Sequence, residues 1–264
     1  MKKWFVASLL ALGLLSLGAQ AKDWTEIRLA SEGAYPPFNT IGADGTLSGF
    51  DIDIGNALCA QMKAKCTWVK QEWDGMIPAL NARKFDAIIA SMSITEERRK
   101  QVDFSDKYYA TPLGLVAKKG SPVTPTVDAL KGKKVGVQRG TVADNFATRV
   151  WAPKGVSVVR YAKQDEAYLD LTAGRLDAAL ADALEADSGF LAKPEGANYA
   201  FMGSRMFGAT AEEKAVIGEG VGIAVRKKDA DLKAQLNAAL AAIRANGTYD
   251  SLRKKYFDYD IYGE

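Results

Sequence analysis

Two stretches of this 264-residue chain are written in the same grammar. Residues 80–93 read Leu-Asn-Ala-Arg-Lys-Phe-Asp-Ala-Ile-Ile-Ala-Ser-Met-Ser, and residues 171–184 read Leu-Thr-Ala-Gly-Arg-Leu-Asp-Ala-Ala-Leu-Ala-Asp-Ala-Leu. Asp86 aligns with Asp177, each six residues after a helical leucine and directly before an apolar run; Ser91 then aligns with Asp182 at the polar end of that run. A second echo links residues 27–32 with residues 133–138, each predicted as a strand leading to a polar turn. A helix, a turn, an aspartate and a buried strand also recur by chance in α/β proteins, so the echo alone leaves two explanations open. As a repeat it predicts two α/β lobes with strand ends that can face one another, and ligand chemistry belongs at those carboxyl ends.

Apolar spacing fills in the units. Ile27 and Leu29 predict a short strand before the turn-rich Gly33-Ala34-Tyr35-Pro36-Pro37. Helical spacing runs over 51–65 through Ile54, Leu58 and Met62; Trp68 and Val69 predict a strand, 77–83 a helix and 87–90 a buried strand. Residues 118–125 form an irregular connector. From Lys228 a helix through Leu232, Leu236, Leu240 and Ile243 should stop at Asn246-Gly247.

At the N-terminus, Lys2 and Lys3 precede an apolar run from Trp4 to Gly18 that ends in Ala19-Gln20-Ala21. This is the pattern of a secretory signal cleaved after Ala21; the run is too short to span a membrane comfortably. Removing it takes away two lysines from 35 basic residues set against 32 acidic ones, leaving a near-neutral chain. That balance argues against nucleic acid as a partner. The chain has no histidine, which excludes Ser-His-Asp and Cys-His nucleophiles and imidazole metal ligation. Two cysteines are too few for an all-cysteine zinc site. In an oxidising compartment Cys59 and Cys66 can close a small disulfide loop; two buried free thiols are the other reading. No phosphate-binding glycine loop is present, and the reading calls for no cofactor and no metal.

Several residues could carry binding chemistry. Residues 93–99 read as a strand end passing into a helix, with Thr95 as N-cap. Arg98 then falls in the first turn, where a cation is unfavourable unless it meets an anion. It is either a solvated arginine or a guanidinium fork for a carboxylate. Gly140-Thr141-Val142-Ala143-Asp144 follows a predicted strand, and a glycine turn opening a helix presents free N–H groups. Tyr35 and Trp73 are either core aromatics or a clamp for an aliphatic or cationic chain, a contact of roughly 0.5–2 kcal/mol. Glu32 and Asp182, each at a predicted strand end, are either solvated acids or partners for two positive charges on one ligand. Glu32, Asp182 and Glu185 also leave acid/base work open, without a recognisable nucleophile beside them.

Four stretches carry a family resemblance. They are Gly49-Phe50-Asp51-Ile52-Asp53-Ile54-Gly55-Asn56-Ala57-Leu58-Cys59, residues 88–95, residues 171–180, and Gly247-Thr248-Tyr249-Asp250 with Lys255-Tyr256-Phe257. Together they resemble the periplasmic amino-acid-binding proteins of ABC importers (solute-binding family 3), most closely the lysine/arginine/ornithine- and histidine-binding group. The resemblance implies a type II periplasmic binding protein fold, two α/β lobes joined by a two-strand hinge. Residues 22–111 and 208–264 would form one lobe and 112–207 the other, with Cys59 and Cys66 bridged. It implies an α-carboxylate held by Arg98 and by backbone N–H groups of Ser93 and Val142 in the Thr141 turn, and an ammonium held by Ser91, Ser93 and Asp182. The side chain would lie between Tyr35 and Trp73, with its distal cation near Glu32. It further implies a periplasmic monomer, an inner-membrane ABC permease as partner, and no enzymatic activity.

The sequence departs from that group at the far end of the pocket. Glu32 replaces the usual Asp, Gln138 stands where an apolar residue is usual, and Ala90 and Ala143 lack expected polar groups; Val142 retains only a backbone donor. Among basic amino acids arginine is favoured, since its planar head can stack on Trp73 and fork onto Glu32, with lysine, ornithine and histidine as further ligands. An opine-binding protein is one alternative. A dehydratase-type enzyme on the same fold, with Glu185 or Asp182 as general acid, is the other.

Overall fold

The computed structural model describes residues 24–263, so the predicted signal at 1–21 lies outside the described residues. Strands in chain order are β1 (Glu26–Ser31), the small meander β2 (Ala34–Tyr35), β3 (Asn39–Ile41) and β4 (Leu47–Ser48), then β5 (Lys65–Lys70), β6 (Ala87–Ile88), β7 (Asp103–Phe104), β8 (Leu113–Lys118), β9 (Lys134–Gln138), β10 (Ser157–Tyr161), β11 (Ala178–Asp182), β12 (Tyr199–Phe201) and β13 (Ala224–Val225). Between them run helices α1 (Phe50–Gln61), α2 (Met76–Asn81), α3 (Glu96–Arg99), α4 (Val127–Leu130), α5 (Val142–Phe146), α6 (Gln164–Thr172), α7 (Ala183–Ala186), α8 (Ala211–Ile217), α9 (Ala230–Ala245) and α10 (Thr248–Arg253).

Apart from the meander, the strands form two five-stranded sheets of one design, ordered β5-β1-β6-β13-β7 and β10-β9-β11-β8-β12. In the first, β1 lies parallel to β5 and β6, and β13 and β7 follow antiparallel. In the second, β9 lies parallel to β10 and β11, and β8 and β12 follow antiparallel. The echoed aspartates explain the match. Asp86 donates its N–H to Arg28 O at 2.8 Å and accepts the Arg28 N–H on its carboxylate at 3.1 Å. Asp177 does the same with Lys134, at 2.9 and 2.8 Å. Arg28 and Lys134 are themselves equivalent positions of the second echo. Each aspartate therefore fixes the register of a central parallel strand pair from its amino end. Asp86 is secured further by the Arg28 and Arg226 guanidiniums, at 3.0 and 2.9 Å.

Each sheet is covered on both faces, as mostly parallel sheets require. The first buries Ile27, Leu29, Ile54 and Leu58 on one side and Met76, Leu80, Phe85 and Ile88 on the other. Leu232, Leu236, Leu240 and Ile243 of α9 join the first of these layers, as their spacing predicted, and Gly247 terminates the segment in the left-handed region. Gly49, before α1, has φ 123°, and a Cβ there would meet Phe38 O at 2.4 Å, so the sharp entry into α1 needs glycine.

The chain passes between the sheets twice, after Tyr109 and before Val221, and these residues pair with one another. Val216 and Ile217 of α8 pack with Leu113, Val135 and Phe146 in the second sheet's core. The segment 211–217, expected with residues 208–264 in the first lobe, thus rides on the second sheet, because its apolar face finds its partners there. Two elements are shorter than expected. Helix α1 stops at Gln61, because Lys65 already pairs with β1; β6 ends at Ile88, because the chain turns through Ser91 at φ 55°.

Cys59 on α1 and Cys66 on β5 form a disulfide with a Cα–Cα distance of 6.1 Å. In the chain-entropy picture so short a loop contributes about 2–2.5 kcal/mol. Replacing both cysteines by serine should lower the unfolding free energy by that amount in urea titrations. An unchanged midpoint would mean that packing alone holds α1 on β5.

Candidate functional site

The carboxyl ends of the central strands of both sheets meet at one cleft of about 280 Å³. It is lined by Glu32, Tyr35, Trp73, Ser91, Ser93 and Arg98 from the first sheet's side and by Gln138, Thr141, Val142 and Asp182 from the second, together with Ala90. The structure thus brings together all ten sequence-derived candidates. The echo also reappears in space. Glu32 and Gln138, equivalent positions, are hydrogen-bonded to each other at 2.9 Å, and Ser91 and Asp182, also equivalent, line the same cleft.

One end of the cleft is rich in donors. Thr95 caps α3 by accepting the Arg98 N–H, which sets Arg98 in the first turn. Its guanidinium is buried, donates to Ser93 O at 2.9 Å and to Gly140 O at 3.1 Å, and lies 5.2 Å from the Trp73 ring centre. Thr141 caps α5 by accepting the Asp144 N–H, so the N–H groups of Val142 and Ala143 precede the first intrahelical bonds. Among the described residues these two groups and the Ser93 N–H have no acceptor. Gly140, at φ 71°, supplies the left-handed turn beside Trp73 that a residue with a side chain would strain.

The remainder of the cleft is rich in acceptors. Asp182 accepts from the Tyr35 hydroxyl at 2.8 Å, and Glu32 accepts from Gln138 Nε2. One Glu32 oxygen therefore already accepts one hydrogen bond, so a cationic head that reaches Glu32 shares it with the Gln138 amide. Glu32, Arg98 and Asp182 are 3%, 7% and 5% exposed, yet among the described residues none of them forms an ion pair. Their protonation equilibria register this. Burial raises the Glu32 carboxyl to about 7, against the Gln138 hydrogen bond, and raises Asp182 to about 6, against its Tyr35 hydrogen bond and the pull of Arg98. Burial lowers Arg98 to about 10, with Asp182 opposing.

The mouth of the cleft is bridged by three exposed pairs, Asp74–Arg139 at 2.9 Å, Glu72–Lys163 at 3.7 Å, and Glu97–Arg149. In all three the acid belongs to the first sheet's side and the base to the second's. Each contributes little alone, about 0–1 kcal/mol.

The chain matches the model of bacterial extracellular solute-binding proteins, family 3, over residues 27–259. It belongs to this family. It is 51% identical to the L-arginine-binding protein of Pseudomonas aeruginosa over 263 residues, covering 100% of this chain and 99% of that one. It is 47% identical to the lysine/arginine/ornithine-binding periplasmic protein of Escherichia coli K12, with 100% of both chains covered. Among solved structures it is similar to an ancestral arginine-binding protein bound to arginine, at 37% identity and a TM-score of 0.80, covering 88% of this chain and 98% of that one. The two sheets and paired crossings are accordingly the two-lobed periplasmic binding protein fold.

Two features of this family 3 chain escaped the sequence reading of its cleft. Asp51 is fully buried in the first turn of α1, accepting from Asn39 at 2.8 Å, Ser91 at 3.0 Å and Tyr108 at 2.6 Å. It ties the left-handed Ser91 to the helix, and the Gly49-Phe50-Asp51 motif was its only sequence signal. Glu185, one of the two acids named for a dehydratase, does not line the cleft, whereas Asp182 does. It is buried inside the second lobe, hydrogen-bonded to the Tyr168 hydroxyl at 2.7 Å, and burial raises it to about 8.

Carboxyls held above their ordinary range contribute stability that is complete at low pH and is lost as pH rises through the folded value. For Asp182, Glu32 and Glu185 that window runs from about 4 to 8. Asp86 and Asp103, held low by Arg28 and Lys233, are ionised throughout the upper part of it. The ligand-free protein should therefore melt at a lower temperature at pH 8 than at pH 5. A melting temperature that climbs between those values would show that these carboxyls are not desolvated as described.

Proposed function

We propose that this protein is an exported periplasmic receptor, cleaved after Ala21, that captures a basic amino acid by lobe closure and delivers it to an ABC permease of the inner membrane. Arginine is the favoured ligand, and the protein acts as a monomer that binds and releases without reaction. The lobes are residues 22–111 with 208–264 and residues 112–207, with α8 packed on the second.

The observation that carries this reading is the charge inventory of the cleft. One buried guanidinium and two buried carboxyls, none ion-paired among the described residues, sum to a single negative charge when both carboxyls are ionised. An amino acid with a cationic tail has the complementary set, one carboxylate and two cations. The carboxylate suits Arg98 with the Ser93 and Val142 N–H groups; the ammonium suits Asp182 and Ser91; the tail, between Tyr35 and Trp73, suits Glu32. The names of the P. aeruginosa and E. coli relatives and of the ancestral complex support the same ligand class. The dehydratase alternative lacks Glu185 in the cleft, which leaves Asp182 as its general acid.

Closure follows from differential contacts. A ligand docked on the first lobe through Arg98, Tyr35 and Trp73 gains Asp182 and the 141–143 turn only when the lobes meet, and only such gains shift the equilibrium.

Replacing Arg98 or Asp182 by alanine should weaken arginine binding by roughly 2–5 kcal/mol in titration calorimetry, by analogy with buried charge pairs. Parent-like affinity in either variant would reject this pocket. Glu32→Lys should remove arginine and lysine binding, and retained binding would rule Glu32 out as the distal acid. Because the ligand's two cations favour ionised Glu32 and Asp182, arginine affinity should rise with pH up to about 7, by at most tenfold per pH unit for each carboxyl. A flat profile between pH 5 and 7 would count against both contacts.

A further inference from the structure

We infer that Gln138 is a specificity-determining residue that turns the distal end of the cleft into a wall of acceptors, selecting a tail with several N–H donors and no acceptor of its own. The inference rests on the basic-amino-acid reading of the cleft and deepens it. Gln138 is 2% exposed, and its amide Nε2 donates to Glu32 Oε1 at 2.9 Å and to Ala162 O at 3.2 Å. A carboxamide nitrogen has two N–H groups, so both are spent. Those two acceptors also settle which way the amide is turned, since the flipped form would set its oxygen against a carboxylate and a carbonyl.

Gln138 Oε1 is left as an acceptor that, among the described residues, receives no hydrogen bond, and so is the second oxygen of Glu32. Ala90 adds only a methyl group to the lining. The nearest cation, Lys163, is paired with Glu72 at the rim. A tail reaching this end therefore meets open acceptors on Glu32 and Gln138 and no free donor on either of them or on Ala90. A guanidinium presents N–H groups in two directions of one plane and can serve Glu32 and Gln138 together. A ureido or carboxamide tail of similar shape brings an oxygen that finds no partner, and an unmatched buried polar group is what discriminates strongly between isosteres.

The wall is assembled by closure, because Glu32 comes from the first lobe and Gln138 from the second. Discrimination by Gln138 is therefore exerted on the closed complex, in the rate of ligand escape rather than in first docking.

The test measures arginine, lysine and citrulline binding to the parent and to Gln138→Leu by calorimetry and stopped flow. The parent should bind citrulline at least a hundredfold more weakly than arginine, with the difference in dissociation rate. In Gln138→Leu the arginine-to-citrulline ratio should fall at least tenfold, with lysine binding retained as the check on folding. Gln138→Met, closer in length and also without the amide, gives the same readout if the leucine variant does not fold. An unchanged ratio with lysine binding intact overturns the role of Gln138. A parent that binds none of the three overturns the reading of the cleft itself.

Discussion

Three ionisable groups removed from water without ion partners govern this molecule. Arg98, Glu32 and Asp182 are each held by neutral hydrogen bonds, to Ser93 and Gly140 carbonyls, to the Gln138 amide and to the Tyr35 hydroxyl. Such contacts orient a charge without balancing it, and an uncompensated buried charge costs several kcal/mol. Three of these four contacts also run from one lobe to the other. The closed arrangement is therefore the one in which the groups are driest, and in which an oppositely charged guest has most to offer. Affinity and closure draw on the same source.

The scaffold that makes this possible uses one plan twice. The aspartate that precedes the third strand of each sheet bonds the backbone of the neighbouring strand in the same way, through Asp86 with Arg28 and Asp177 with Lys134. Equal registers place equivalent residues at equivalent heights. When the two units face each other, the ends of their central strands supply Glu32 against Gln138, and Ser91 beside Asp182. A cleft with an acid and an amide across from one another thus results from equivalent strand-end positions that carry different residues in the two units.

Much of this was legible in the sequence because it is local. The echo, the leucine spacing of α9, the Thr95 cap, the glycine turn opening a helix at 140–144 and the placement of Arg98 in a first turn depend on residues within a turn or two of each other, and the family motifs fixed the candidates for the cleft. What stayed hidden depends on long-range packing. Nothing near Val216 shows that α8 would leave its chain neighbours for the second core. Nothing near Asp51 shows that it would anchor Ser91, forty residues away, rather than face solvent on an amphipathic helix. Glu185 reads as a strand-end acid only three residues from Asp182. Its side chain turns inward because α7 begins there, a rotation that spacing along the chain does not disclose.

The three pairs at the mouth of the cleft share one polarity, with Glu72, Asp74 and Glu97 on one jaw and Lys163, Arg139 and Arg149 on the other. While the jaws touch, these charges neutralise one another. Once parted, they become an anionic strip facing a cationic strip, each bare to solvent. Shutting the molecule therefore erases a surface dipole as well as a gap, so anything that binds its outside meets a different electrostatic landscape before and after the cleft closes.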